Sequence, residues 1–150
     1  MDSRIKTNEH IAEVQKYLMK IIMGLQRRLL THDHTKLESP EVEVFDIVTD
    51  KLHGLTYDSK EYNEILFGDL EPALQHHYQV NRHHPQHYKR GIIDMNLVDL
   101  CEMIVDWKAA TLRHADGNIR KSLEINQSRF GYTDELKQIL INTVELLESE

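Results

Sequence analysis

Histidines and carboxylates are the side chains whose spacing most invites chemistry in this sequence. Ten histidines occur, and five of them, His76, His77, His83, His84 and His87, fall within residues 76–87. Neutral imidazole is the commonest protein ligand for divalent metals, so this clustering directs attention to a metal. His32 and Asp33 stand side by side upstream. Downstream, Asp99, Glu102 and Asp106 are spaced i, i+3, i+7, which places all three on one face of a helix. Ile104, Val105 and Trp107 surround Asp106, so its carboxylate is expected to be partly buried and to need a cation or donors. His10 lies one turn before Val14 beside an apolar stripe, and His77 shares a face with Leu70 and Leu74. A lone histidine on an apolar face is usually a core residue, and an acidic stripe is usually solvated. Several such groups on successive helices favour a site. Three or four imidazoles with two carboxylates hold a divalent metal and leave positions for water and substrate.

The elements that must position these groups read as helices. A first helix is expected from about Asn8 to Leu30, with the stripe Ile11, Val14, Leu18, Ile21, Leu25 and Leu29. His32 to Leu37 reads as a short continuation or turn. Ser39-Pro40-Glu41 has the form of a helix start, with Ser as N-cap, Pro at the first position and an acid in the first turn. That helix would carry Val42, Phe45 and Val48 inward and end near Gly54. Ser59 can cap a helix through Phe67, stopped by Gly68, and residues 69–72 can start another. Residues 81–91 read as a loop, because Pro85 disfavours helix at His84. Asp94 can cap a long helix from about Met95 to His114. Asp116-Gly117 is a turn signal, followed by a helix from about Asn118 to Arg129 and a break at Gly131. Thr133 can cap a last helix that packs Leu136, Ile139, Leu140, Val144 and Leu147 inward. It completes the bundle or offers a dimer surface. The expected fold is all-α, one domain over residues 1–150, with six or seven helices and no sheet.

Size and composition agree with that reading. A chain of 150 residues with 40% hydrophobic residues can bury a core. Eighteen basic against 25 acidic residues, a net charge of −7, argue against non-specific nucleic-acid binding. A nucleotide substrate stays open, since a bound metal reverses local charge. Cys101, the single cysteine, excludes an intrachain disulfide or a Cys-based zinc cage, and a reduced, cytoplasmic setting is expected. No signal-peptide pattern or membrane-spanning run is evident.

The order His10, His32-Asp33, His76-His77, Asp106 resembles the HD superfamily of metal-dependent phosphohydrolases. The stretch HDHTK is similar to the HD-x-G-K variant, in which a Lys follows near the substrate phosphate; that residue is Lys36. The stretch from His76 to Ala110 is loosely similar to the HD-GYP branch, although the GYP tripeptide is absent and HHPQHY stands near its place. A closer resemblance is to an uncharacterised helical family common in phages and bacteria, sharing HDxSK, HHY…NxHHPxHY and EMxxDW motifs. Here these read His32-Asp33-His34-Thr35-Lys36, then His76-His77-Tyr78 with Asn81 and His83-His84-Pro85-Gln86-His87-Tyr88, then Glu102-Met103 and Asp106-Trp107. Thr35 departs from the usual Ser. This second resemblance covers roughly residues 10–130 and brings no established reaction.

The resemblance implies a divalent metal (Mn, Fe, Zn, Co, Ni or Mg) on His10, His32, Asp33 and Asp106, and a small phosphorylated substrate. Lys36, Arg82 and Arg113 would neutralise phosphate charge. Glu102, one turn from Asp106, would serve as base or as an outer carboxylate. His76, His77, His83 and His84 would supply a second metal or protonate the leaving group. Two other readings compete: an HD-type di-iron oxygenase on much the same ligands, and a non-enzymatic phage accessory protein with a structural metal or histidine network. Trp107 is expected in the core, Tyr78 and Tyr88 in a pocket or in packing, and His34, His53 and His114 on the surface.

Overall fold

A computed structural model describes residues 3–52, 55–56, 59–66, 68, 70–113 and 116–149. Among them the protein is all-helical, with seven α-helices, three short 3-10 segments and no strand. None of these helices is long and apolar enough to cross a membrane. The chain divides into two compact units, Met1–His32 and Asp33–Glu150.

The first unit is a single helix, α1 (Ser3–Thr31), longer at its N-terminal end than its apolar stripe predicts. None of its residues is buried. The stripe residues Ile11, Val14, Leu18, Ile21 and Leu29 are exposed. His32 follows directly, its backbone N–H donating to Arg28 O at 2.8 Å.

The second unit opens on Asp33, whose backbone is left-handed at φ 56°, a conformation that Asp tolerates better than most residues. A 3-10 turn (His34–Leu37) leads to α2 (Val42–Leu52), α3 (Lys60–Leu66) and α4 (Glu71–Val80). Two 3-10 turns (Pro85–His87, Gly91–Asp94) connect α4 to α5 (Leu97–Thr111), which is followed by α6 (Ile119–Phe130) and α7 (Asp134–Glu148).

Capping explains most boundaries. Ser59 Oγ accepts from Tyr62 N and Thr133 Oγ1 from Leu136 N, as their positions in the sequence predict, and Asn118, expected as the start of α6, caps it instead, its Oδ1 accepting from Lys121 N. Gly131 ends α6 at φ 66°, where a side chain would be strained. Two starts differ from expectation. Asn96, not Asp94, caps α5 in a reciprocal box with Asp99, because Asp94 is taken up by the backbone N–H and guanidinium of Arg90. Helix α2 begins at Val42, with Glu41 O accepting from Phe45 N; Ser39 and Pro40 precede it, and the Glu41 carboxylate turns inward. The expected stop near Gly54 lies outside the described residues, as do His53 and His114.

Two apolar clusters hold this unit. Met103, Ile104, Ile119, Leu123, Tyr132, Leu140 and Val144 join α5, α6 and α7, with Trp107 packed against them and stacked on Phe130. Val48, Leu70 and Ala73 join α2 and α4, with Phe45 and Leu74 alongside. Of the residues expected inward on α7, Leu140 and Val144 are buried, whereas Ile139 and Leu147 are exposed.

Candidate metal centre

Four side chains of the second unit converge, from three segments. Asp33 comes from the turn before α2, His77 from the last turns of α4, and His83 and His84 from the loop after α4. One ligand atom from each lies within 4.8 Å of the others, a group able to hold a metal ion. The facing atoms are specific. His77 Nε2 is 2.9 Å from His84 Nε2 and 3.2 Å from Asp33 Oδ1. His83 Nε2 is 3.5 Å from Asp33 Oδ1 and 3.9 Å from Asp106 Oδ2. A single proton can bridge two such atoms, whereas a divalent cation can bridge them all.

Carboxylates stand behind two of the imidazoles. Glu41 Oε2 lies 2.8 Å from His77 Nδ1, and Glu102 Oε1 lies 3.2 Å from His83 Nδ1. Outer carboxylates of this kind orient metal-binding histidines and make the inward nitrogen more basic. His77, His83 and Glu41 are at most 1% exposed. His84 is pushed down to about 3 by burial first and then by His83 and His77, with Asp106 and Asp33 pulling the other way. It is therefore neutral at ordinary pH and can act as an acceptor.

The loop that carries His83 and His84 is clasped from both flanks by Asp99. Its carboxylate accepts from Tyr88 Oη at 2.7 Å and from Arg82 Nε and Nη2 at 3.3 and 3.2 Å. It also accepts from Asn96 N at 3.1 Å. Burial pushes this carboxyl up, but the hydrogen bonds from Tyr88, Asn96 and Arg82 more than offset it, leaving Asp99 below the usual carboxylate range. The predicted acidic stripe thus splits into three tasks: Asp99 fixes the loop, Glu102 backs His83, and Asp106 faces the cluster.

The expected ligand set changes accordingly. His10 lies on exposed helix, and a rise of ~1.5 Å per residue puts it about 30 Å along the axis from Thr31, beside His32. His10 and His32 therefore cannot share one ion. His76 is not in the converging group; its Nδ1 contacts Glu41 Oε1 at 2.7 Å. His77, His83 and His84, assigned to a second metal or a proton donor, instead form the main group with Asp33. Arg82 pairs with Asp99 at 3.2 Å and lies over the Tyr88 ring, with its side chain 43% exposed. Arg113 is exposed, two turns beyond Asp106. Lys36 pairs with Asp33 Oδ2 at 2.6 Å and stays at the cluster. His87 contacts Tyr78 O, and His34 is exposed.

Glu41 is the site residue that sequence reasoning misses, because Ser-Pro-Glu has the form of a helix start and its acid looks like a first-turn residue. Its position six residues after Thr35, which donates to Oε2 at 3.1 Å, carries no recognisable spacing signal. A cleft of about 250 Å³ lined by Ile92, Leu100, Phe130, Tyr132 and Leu136 shares no residue with the cluster.

The chain belongs to a family described as "Family of unknown function (DUF5662)", whose model matches residues 2–149. No curated protein and no solved structure matches it.

Proposed function

We propose that this protein is a metal-dependent hydrolase of the HD type, acting on a nucleotide or another small phosphoester. One divalent ion would sit among Asp33, His77, His83 and His84, with Asp106 at its edge. The observation that carries the reading is the convergence of His77, His83 and His84 with Asp33, the Nε2 atoms of His77 and His83 lying 3.2 and 3.5 Å from Asp33 Oδ1, with Glu41 and Glu102 behind these two rings. His32 precedes Asp33 directly, a peptide bond holding its Cα about 3.8 Å from that of Asp33.

A divalent ion bound there supplies Lewis acidity and a water of lowered pKa. The protein's own groups do the rest. Glu41 and Glu102 hold His77 and His83 in place, and Asp99 holds the loop between α4 and α5. Lys36, paired with Asp33, and the partly exposed Arg82, paired with Asp99, are the cations near the histidine loop that would meet a substrate phosphate. The half-buried Asp106 can accept a hydrogen bond from an incoming water.

A second reading, a structural metal without turnover, is favoured by one observation. Both cations nearest the histidine loop, Lys36 and Arg82, are already in ion pairs with Asp33 and Asp99. Metal content and activity together separate the two. Purified wild type, Asp33→Ala and His83→Ala proteins are assayed for bound metal and against a panel of phosphomonoesters and phosphodiesters. The hydrolase reading expects about one bound divalent ion, metal-dependent turnover, and loss of both in the variants. Metal binding with no turnover on any phosphoester contradicts it and leaves the structural reading. Unchanged metal content in the variants removes both.

A further inference from the structure

We propose that α1 is a self-association helix, its apolar face covered by α1 of other copies of this chain. This role belongs to the first unit alone and does not depend on a metal in the second.

Helix α1 has 29 residues, about 43 Å along its axis, and buries none of them. Its apolar residues follow a heptad. Ile11, Val14, Leu18, Ile21 and Leu25 alternate in steps of three and four, as the a and d positions of a coiled coil do. The first four are exposed and Leu25 is half-buried. Tyr17 at g, with Ile22 and Leu29 at e, borders this seam, and all three are exposed. Thr7 and Arg28 take the d positions at either end and close it.

Charge placement selects the partner. Lys6, Glu9, Glu13, Lys16, Lys20 and Arg27 are all the lysines, arginines and acids from residue 6 to residue 27. Each stands at c or f, on the side away from the seam. Lys16 pairs there with Glu13 of the same helix at 3.1 Å. Identical helices that meet along the seam therefore bring no like charges together. The outer face mixes both signs, unlike the uniformly basic face of a helix that lies on anionic lipid.

The area is sufficient. Burying one apolar side chain of this kind removes about 60–120 Å² from water, so the seam and its borders on two copies bury roughly 1,000–1,900 Å². A stable, specific interface needs about 1,200–2,000 Å². Leu18 and Leu25 at a with Ile21 at d is the arrangement that moves parallel bundles from two strands to three or four. Additional helices would cover Tyr17, Ile22 and Leu29, which a two-stranded contact leaves at its edge.

The test is the mass of the full-length protein in solution, by light scattering after size exclusion at micromolar concentration. Wild type is expected at three or four chains. The double variant Leu18→Glu, Ile21→Glu places charge in the seam at exposed positions and is expected to be a monomer. Met23→Glu alters an equally exposed apolar residue at f and is expected to keep the wild-type mass. A monomeric wild type overturns the proposal even if no variant folds. An assembly that survives the double variant overturns it as well, because its interface then lies elsewhere. A dimer that dissociates in the double variant and not in Met23→Glu supports the α1 contact and overturns the strand number.

Discussion

Replacing Asp99 should weaken both the fold and the site, because one carboxylate joins the start of α5 to both flanks of the histidine loop. Asp99→Ala removes the acceptor of Tyr88 Oη, of the Arg82 guanidinium and of Asn96 N. Removing one partner of a buried ion pair costs about 3–5 kcal/mol. Here the Arg82 side chain is 43% exposed and can return to water, which favours the lower end. Asn96 still caps α5, but loss of the return hydrogen bond from its backbone N–H adds about 1 kcal/mol, so a net loss of about 3–4 kcal/mol is expected. For a chain of this size that lowers Tm by roughly 6–16 °C. Asp99→Asn keeps the shape and loses the charge, and should cost less. The pH dependence has a fixed sign. Because the folded carboxyl lies below its unfolded value of about 3.9, its contribution is present above that pH and is lost as pH falls through the folded value. The Tm difference between wild type and Asp99→Asn should therefore be widest near neutrality and should narrow below about pH 4. Thermal unfolding followed by circular dichroism from pH 7 to pH 2.5 reads this. A loss under about 1 kcal/mol for Asp99→Ala, or a gap that widens on acidification, would refute the clasp.

His10→Ala should leave bound metal unchanged, measured by elemental analysis, since the side chain lies on exposed helix about 30 Å from the end of α1. Met103→Ala, at a fully buried position in the α5–α7 core, should cost about 2–5 kcal/mol in urea unfolding. Gly131→Ala meets no steric neighbour but forces an L side chain to φ 66°, so about 1 kcal/mol should be lost to backbone strain alone. Metal stripping with a chelator should lower Tm, and free Zn²⁺ at 100 times its Kd should restore it, adding about 2.7 kcal/mol of stability.

Helices were readable wherever a local device sets them. Ser59 and Thr133 cap as expected because an N-cap depends only on a side chain and the backbone two or three residues ahead. The i, i+3, i+7 stripe of Asp99, Glu102 and Asp106 was readable for the same reason, since helical spacing alone puts them on one face. The site was legible in part. Asp33 and the histidine cluster converge, but which histidines turn inward depends on the loop after α4, which no periodicity encodes. His10 misled because an apolar stripe suggests a packed face, whereas α1 buries none of its residues. Glu41 was hidden because its local pattern fits a helix start, while its partners, His76 and His77, lie 35 and 36 residues away. Asp94 lost the cap of α5 to Asn96 through an ion pair with Arg90 that the sequence does not announce.

X-ray absorption spectroscopy of the Zn²⁺-loaded protein tests the central claim most directly. A first shell of nitrogen and oxygen at about 2.0–2.2 Å with no sulfur is expected, with multiple scattering from three imidazoles, matching His77, His83 and His84. His83→Ala should lower that number to two. A shell of water and carboxylate oxygens with one imidazole or none would contradict it.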